Sequence, residues 1–297
     1  MTAQMVTEGV ERDVVIPRVV EVDGIPMSAL CVEADQPRAV VLALHGGATT
    51  ARYFDCPGHP ALSLLRTAAA LGFTVLALDR PGYGASAPYA RTFDEPARRV
   101  DACYGLAETL LDSRPRGAGV FLSAHSAGCD LALRMAADQR GQTLLGVELA
   151  GTGLRKHTEA RARIDEMTRT RRGAALIGEM LWYPADLFPP ELLGGKLIGC
   201  SSPPYEGTVL RDWPEDLRQL ARHVRIPVRC THAEYERFWR TDPAALAEIQ
   251  ALFAGAPRFL HPLQPDSGHT LSVGYAARAY HLGLLSFVEQ CVLRSAR

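Results

Sequence analysis

The chain has 297 residues, 47% of them apolar and 22% charged, which is enough for a sizeable core in one large or two small domains. Its 32 basic and 33 acidic residues argue against nucleic-acid binding through bulk charge. The seven cysteines are odd in number and include no Cys-x-x-Cys pair, so they suggest neither a zinc site nor a disulfide framework.

Residues 1–13 are polar and acidic and lack the apolar run of a secretory signal, so a reduced, cytoplasmic protein is expected. Strands are predicted at 14–22 and 27–33, joined as a hairpin by the turn signal Asp23-Gly24. Residues 39–44 form an unbroken apolar run, as a strand buried on both faces requires. The longest apolar stretch, 61–78, contains Arg66 and Gly72; it reads as a helix over 61–71 and a strand over 73–78, not as a membrane span. A helix at 95–111, a strand at 119–124, a helix at 127–139 and a strand at 144–149 follow. From 153 to 224 no good strand is found, only an arginine-rich helical piece and loops carrying Trp182, Tyr183, Phe188, Tyr205 and Trp213. Alternation resumes with a strand at 226–231, a helix at 243–253, a strand at 258–262 and a helix at 271–293. This pattern predicts an α/β fold, a mostly parallel eight-stranded sheet with helices on its faces. Residues 1–152 and 225–297 form its core, and 153–224 a helical lid inserted between two strands.

The chemistry centres on Ser126. The strand ending in Ala124-His125 runs into Ser126-Ala127-Gly128 and then a helix, the strand–nucleophile–helix pattern with alanine at its first small position. Small neighbours allow a sharp turn that projects the serine hydroxyl, and the following helix aims its N–H groups at the same spot. A base is needed, and His269 follows the last strand in a Gly-containing loop. The orienting acid is expected after the strand at 226–231, where Glu234 and Glu236 both stand; Glu236 is preferred. Two N–H donors for an oxyanion are expected from Ala127 and from Gly47, with Ala48 as the alternative. His45 is read as ordering that loop, and Cys129 as a small buried residue.

At this point the chain resembles a serine member of the α/β-hydrolase superfamily. The features that carry the resemblance, in chain order, are His45-Gly46-Gly47, the Asp79-Arg80-Pro81-Gly82-Tyr83-Gly84 turn, Ser126 in its elbow and His269 before the last helix. The resemblance covers about residues 14–295. It departs from the family at Ala124, where glycine is usual, and at Glu236, where aspartate is commoner. It implies that Asp79 stabilises its turn, and that His125 matches a variant common in thioesterases and peroxidase-like members. The activity it implies is hydrolysis of a carboxylic ester or thioester through an acyl-enzyme, without metal or cofactor. Carbon–carbon bond hydrolysis, acyl transfer, cyclisation, cofactor-free peroxidation and ligand binding without turnover are the alternatives.

Trp182, Tyr183, Phe188, Phe238 and Trp239 are the expected substrate-binding aromatics. In the arginine-rich piece, Arg155, Lys156, Arg161, Arg163, Arg169, Arg171 and Arg172 outnumber Glu159, Asp165 and Glu166. That excess suggests an acidic partner such as an acyl carrier protein. No nucleic-acid or membrane partner is expected.

Overall fold

Short runs that are apolar on both faces set the centre of the molecule. A computed structural model describes residues 14–170 and 175–295; residues 1–13, where no secretory signal was expected, lie outside it. Strands β3 (Val40–Leu44) and β4 (Thr74–Leu78) are buried at every position. Around them run β1 (Ile16–Val22), β2 (Ile25–Val32), β5 (Val120–His125), β6 (Gly146–Ala150), β7 (Val228–Ala233), β8 (Phe259–Leu260) and β9 (Leu263–Gln264). The strand order is β1-β2-β4-β3-β5-β6-β7-β8, with β9 also on β7. All neighbours from β4 onward pair parallel, while β1 and β2 add an antiparallel hairpin at one edge. Its two-residue turn places Asp23 at φ 49° and Gly24 at φ 76°, the left-handed pair that such a hairpin needs.

Helices α1 (Leu64–Ala70), α2 (Pro96–Leu111), α3 (Gly128–Ala137), α4 (Thr158–Thr170), α5 (Ala175–Leu181), α6 (Glu206–Ala221), α7 (Pro243–Leu252) and α8 (Ala277–Ser295) complete the chain. The period-two strand geometry divides the core in two. Val40, Leu42 and Leu44 of β3 face the cluster that holds α2, α3 and α6, whereas Val41 and Ala43 face the one that holds α1 and α8. Helices α4, α5 and α6 lie between β6 and β7, where the sequence indicated an insertion; among the described residues no strand lies there.

Two predicted elements need correction. The strand at 258–262 is split into β8 and β9, because Pro262 has no N–H to give to a ladder. The helix predicted from 271 begins at Ala277, because preceding groups are committed elsewhere: Ser272 N–H to the Tyr53 hydroxyl, Tyr275 N–H to Leu187 O. All seven cysteines are free; six are buried and Cys200 is half-buried. Among the described residues no helix is long and apolar enough to cross a membrane.

Candidate active site

The turn from β5 into α3 places Ser126 at φ 51°, a left-handed conformation that non-glycine residues adopt at a cost. Its N–H donates to Ala150 O (2.8 Å), which holds the turn against β6. Two residues on, a Cβ on Gly128 would stand 2.5 Å from the carbonyl oxygens of Leu44 and His45, so only glycine fits. Ala124 sits in the packed core at the end of β5, where its methyl is accommodated.

His269 approaches from the loop before α8. Ser126 Oγ lies 3.0 Å from His269 Nε2, and His269 Nδ1 lies 2.9 and 3.1 Å from the two oxygens of Glu236. With Nδ1–H donating to the carboxylate, Nε2 is free to accept the serine proton. Glu236 also accepts N–H groups from Phe238 (2.8 Å) and Trp239 (3.3 Å). Burial opposes its charge, but His269 and these N–H groups outweigh burial and hold the carboxyl below its ordinary range. Glu234, the alternative acid, is exposed and accepts the Asp266 N–H (2.8 Å); the structure does not bring it to His269.

The small loop after β3 faces this array. Gly47 and Ala127 both border the cavity above Ser126, and a Cβ on Gly47 would stand 3.7 Å from that of Ala127. The Ala48 N–H is directed to the Tyr83 hydroxyl (3.3 Å), which leaves Gly47 the better placed donor. His45 fixes the loop. Its Nδ1–H donates to Gly46 O (2.8 Å) and its Nε2 accepts Arg80 N–H (3.1 Å). Asp79 accepts from the Ser28 hydroxyl and from Ala51 N–H (2.8 Å), a turn-holding position away from His269.

His125, beside the nucleophile, makes specific contacts. Its Nε2–H donates to the His269 carbonyl (2.8 Å), and its ring stacks on Tyr53 at 4.6 Å. Burial, together with His269, pushes its pKa down to about 3, so the ring is neutral. Cys129 is buried with its thiol toward Ala150 O (3.5 Å), and burial pushes its pKa up, far from a thiolate.

The cavity above Ser126 measures about 290 Å³. Phe238 and Trp239 line it, with Ile177, Leu181, Val209 and Trp213 from the insertion. Three expected substrate aromatics are placed elsewhere. Trp182 packs edge-on against buried Phe188 (5.2 Å), and exposed Tyr183 lies under the Arg237 guanidinium (4.5 Å). Phe188 packs against Gly268 and Gly274, buttressing the His269 loop instead of facing the cavity. The sequence reading missed Glu206, whose carboxylate borders the cavity. An acid in the first turn of a helix is commonplace, so nothing in the sequence singles it out.

The basic piece is partly neutralised. Arg155 pairs with Glu248 (2.6 Å), and Arg163 with Glu159 and Glu179 (3.0 and 3.1 Å). Arg155, Lys156, Arg161, Arg218 and Arg240 nonetheless line a cleft of about 450 Å³. Lys156 is wedged there, its Nζ donating to Leu210 O (2.9 Å) above Trp239. Arg171 and Arg172 lie outside the described residues, as does the side chain of Arg169. Among the described residues no three His, Cys, Asp or Glu side chains are grouped to hold a metal ion.

The Alpha/beta hydrolase family profile matches residues 40–280. No curated protein matches the chain. Among solved structures, a soluble variant of monoglyceride lipase from Saccharomyces cerevisiae superimposes with TM-score 0.66 at 13% identity, over 95% of this chain and 98% of that one. A highly thermostable carboxyl esterase from Bacillus coagulans gives 0.65 at 17%, over 93% and 99%. An epoxide hydrolase from Vigna radiata gives 0.62 at 16%, over 95% and 99%. At these identities the likeness is one of fold.

Proposed function

Because the chain belongs to the Alpha/beta hydrolase family, we propose that it is a serine hydrolase opening a carboxylic ester or thioester through an acyl-enzyme. The observation that carries this reading is one hydrogen-bonded line, Ser126–His269–Glu236, whose serine end opens into a mostly apolar cavity bordered by Gly47 and Ala127. The line supplies each step. Ser126 Oγ attacks the acyl carbonyl as His269 Nε2 takes its proton, and the imidazolium is stabilised by Glu236. The Gly47 and Ala127 N–H groups receive the oxyanion. The leaving alcohol or thiol takes the proton back from His269. Water, deprotonated in turn by His269, releases the acid and restores Ser126. A serine at the elbow also separates this reading from epoxide opening, which the superfamily builds on an aspartate there.

Intact-mass analysis with a fluorophosphonate tests the proposal. A single adduct on the wild type that is absent from Ser126→Ala is expected, followed by turnover across an ester and thioester chain-length panel. No adduct on folded wild type rejects it.

The partner reading extends this to a carrier-bound acyl group, with the cleft around Lys156 and Arg161 receiving the carrier's acidic surface or phosphate. Arg161→Glu should then raise KM for a carrier-bound thioester by about 5-fold more than for a small ester of the same acyl chain. An equal change in both rejects the carrier.

A further inference from the structure

The cavity above Ser126 is lined mostly by aromatic and aliphatic groups, yet it carries a carboxylate where the proposed chemistry gains nothing from one. Glu206, the first residue of α6, borders the cavity with its side chain 12% exposed. Its Oε1 is in ion-pair contact with Arg80 Nη2 (2.7 Å). Arg80 is itself buried and donates to Gly46 O (3.0 Å) and the Tyr83 hydroxyl (3.2 Å). Burial works against the Arg80 charge, but Glu206 and the neighbouring tyrosines more than compensate and hold the guanidinium protonated. Apart from that ion pair the buried Oε1 has no hydrogen-bond partner among the described residues, and the other oxygen, Oε2, lies 3.1 Å from where a Cβ on Gly47 would stand.

A carboxylate oxygen this close to the Gly47 loop repels the charge that develops there. The carboxylate as a whole has only the Arg80 ion pair to offset its burial beside a mostly apolar cavity, an arrangement that a donor arriving with the ligand would improve. The other acid at the cavity, Asp130, is already engaged by Arg134 (3.0 Å) and lies 4.0 Å from Arg99. Glu206 Oε2 is therefore the acceptor left for substrate, and Arg80 keeps it in place.

We propose that Glu206 Oε2 recognises a hydrogen-bond donor, an ammonium or a hydroxyl, on the third carbon of the acyl group. Oε2, Gly47 and Ser126 border the same cavity, so a donor that touches Oε2 is carried on the acyl chain a short way from the reacting carbonyl. The substrate class is thus an amino- or hydroxyacyl ester or thioester. This rests on the serine-hydrolase reading and narrows it.

The test compares kcat/KM for N-acetylcysteamine thioesters of butanoate, 3-hydroxybutanoate and 3-aminobutanoate. Wild type should prefer at least one donor-bearing substrate over the butanoyl thioester by about 10-fold or more, as a charge-assisted hydrogen bond implies. The preferred arm tells hydroxyl from ammonium. In Glu206→Gln the amide oxygen turns to Arg80 and the NH2 group to the cavity. A preference for the ammonium should then collapse and one for the hydroxyl, which can accept from that NH2 group, should shrink with the lost charge, while the butanoyl thioester is turned over faster because a negative charge has left the neighbourhood of the Gly47 loop. Glu206→Asp keeps the charge on Arg80 but withdraws Oε2, and should also lose the preference, which covers the case in which the glutamine variant does not fold. A wild type indifferent to the three substrates, or a variant that loses all three equally, as a mere tie between α6 and the core would, overturns the proposal. No turnover of any substrate together with no fluorophosphonate adduct overturns the serine-hydrolase reading beneath it, a result distinct from flat selectivity.

Discussion

Glu236 and Glu234 are chemically identical and two residues apart, yet only one touches His269. Glu236 faces inward, accepting from His269 and from two backbone N–H groups, whereas Glu234 faces out and ties the Asp266 turn. Glu236→Gln should lower kcat by about 10³- to 10⁴-fold, the scale seen when the orienting acid of a triad loses its charge. Glu234→Gln should stay within about 3-fold of wild type, since exposed substitutions rarely matter. If the two effects were reversed, the acid assignment would be wrong. His125 acts one step further out, through its hydrogen bond to the His269 carbonyl. His125→Leu removes that donor, and kcat should fall about 10-fold or more with KM nearly unchanged, because a slight misplacement of the base is costly. A KM rise alone would place His125 in binding rather than positioning.

The elbow between β5 and α3 is the element on which the site depends. Gly128→Ala drives a methyl into two carbonyl oxygens of the β3 end, so it should destabilise the fold by about 2 kcal/mol or more in denaturant titration. A neutral result would mean that the turn relaxes away from β3. The same element was the part of the site most readable in the sequence, because a buried strand, a strained serine and small neighbours constrain residue type locally. The central strands were equally legible: unbroken apolar runs such as Val40–Leu44 leave little choice of structure. Legibility failed where the determinant lies far along the chain. Nothing near Trp182, Tyr183 or Phe188 records that they pack beside the His269 loop, while Trp213, whose Nε1–H reaches Gly153 O (3.1 Å), forms the cavity wall. Glu206 is meaningful only through Arg80, 126 positions earlier, so no local pattern reveals it. Element ends were misjudged for a related reason: a helix was expected from 271, but the N–H groups of Ser272 and Tyr275 are claimed by Tyr53 and Leu187.

Across the whole molecule, four buried histidines, His45, His125, His232 and His281, each held below the ordinary imidazole value first of all by burial, make stability depend on pH. Burial keeps His125 and His281 neutral down to about 3, and burial together with Arg80 keeps His45 neutral well below its ordinary value. In the unfolded chain each takes up a proton as pH falls through about 6.5. The unfolded state therefore binds more protons between about pH 6.5 and 3, and folding stability declines with acidification by about 1.4 kcal/mol per pH unit for each histidine. Glu236 adds to the loss below the ordinary carboxylate range, since its stabilisation disappears as pH falls through its lowered pKa. Chemical denaturation from pH 7 to 4 should show this slope, and His281→Leu, remote from Ser126, should reduce it by one proton; an unchanged slope would mean that His281 is charged in the fold.

Cys200 is the one half-buried thiol of the seven, and it sits where the insertion meets the loop after β3: its N–H donates to Ala48 O (3.0 Å) and its Sγ–H to Thr49 O (3.2 Å). Burial pushes that thiol up to about 11, so it reacts with a maleimide slowly while the contact is closed. A parting of the insertion from that loop would free it. The native thiol is thus a built-in reporter: a labelling rate that falls when an inhibitor is bound would show that the chamber opens, and an unchanged rate would show that it stays closed.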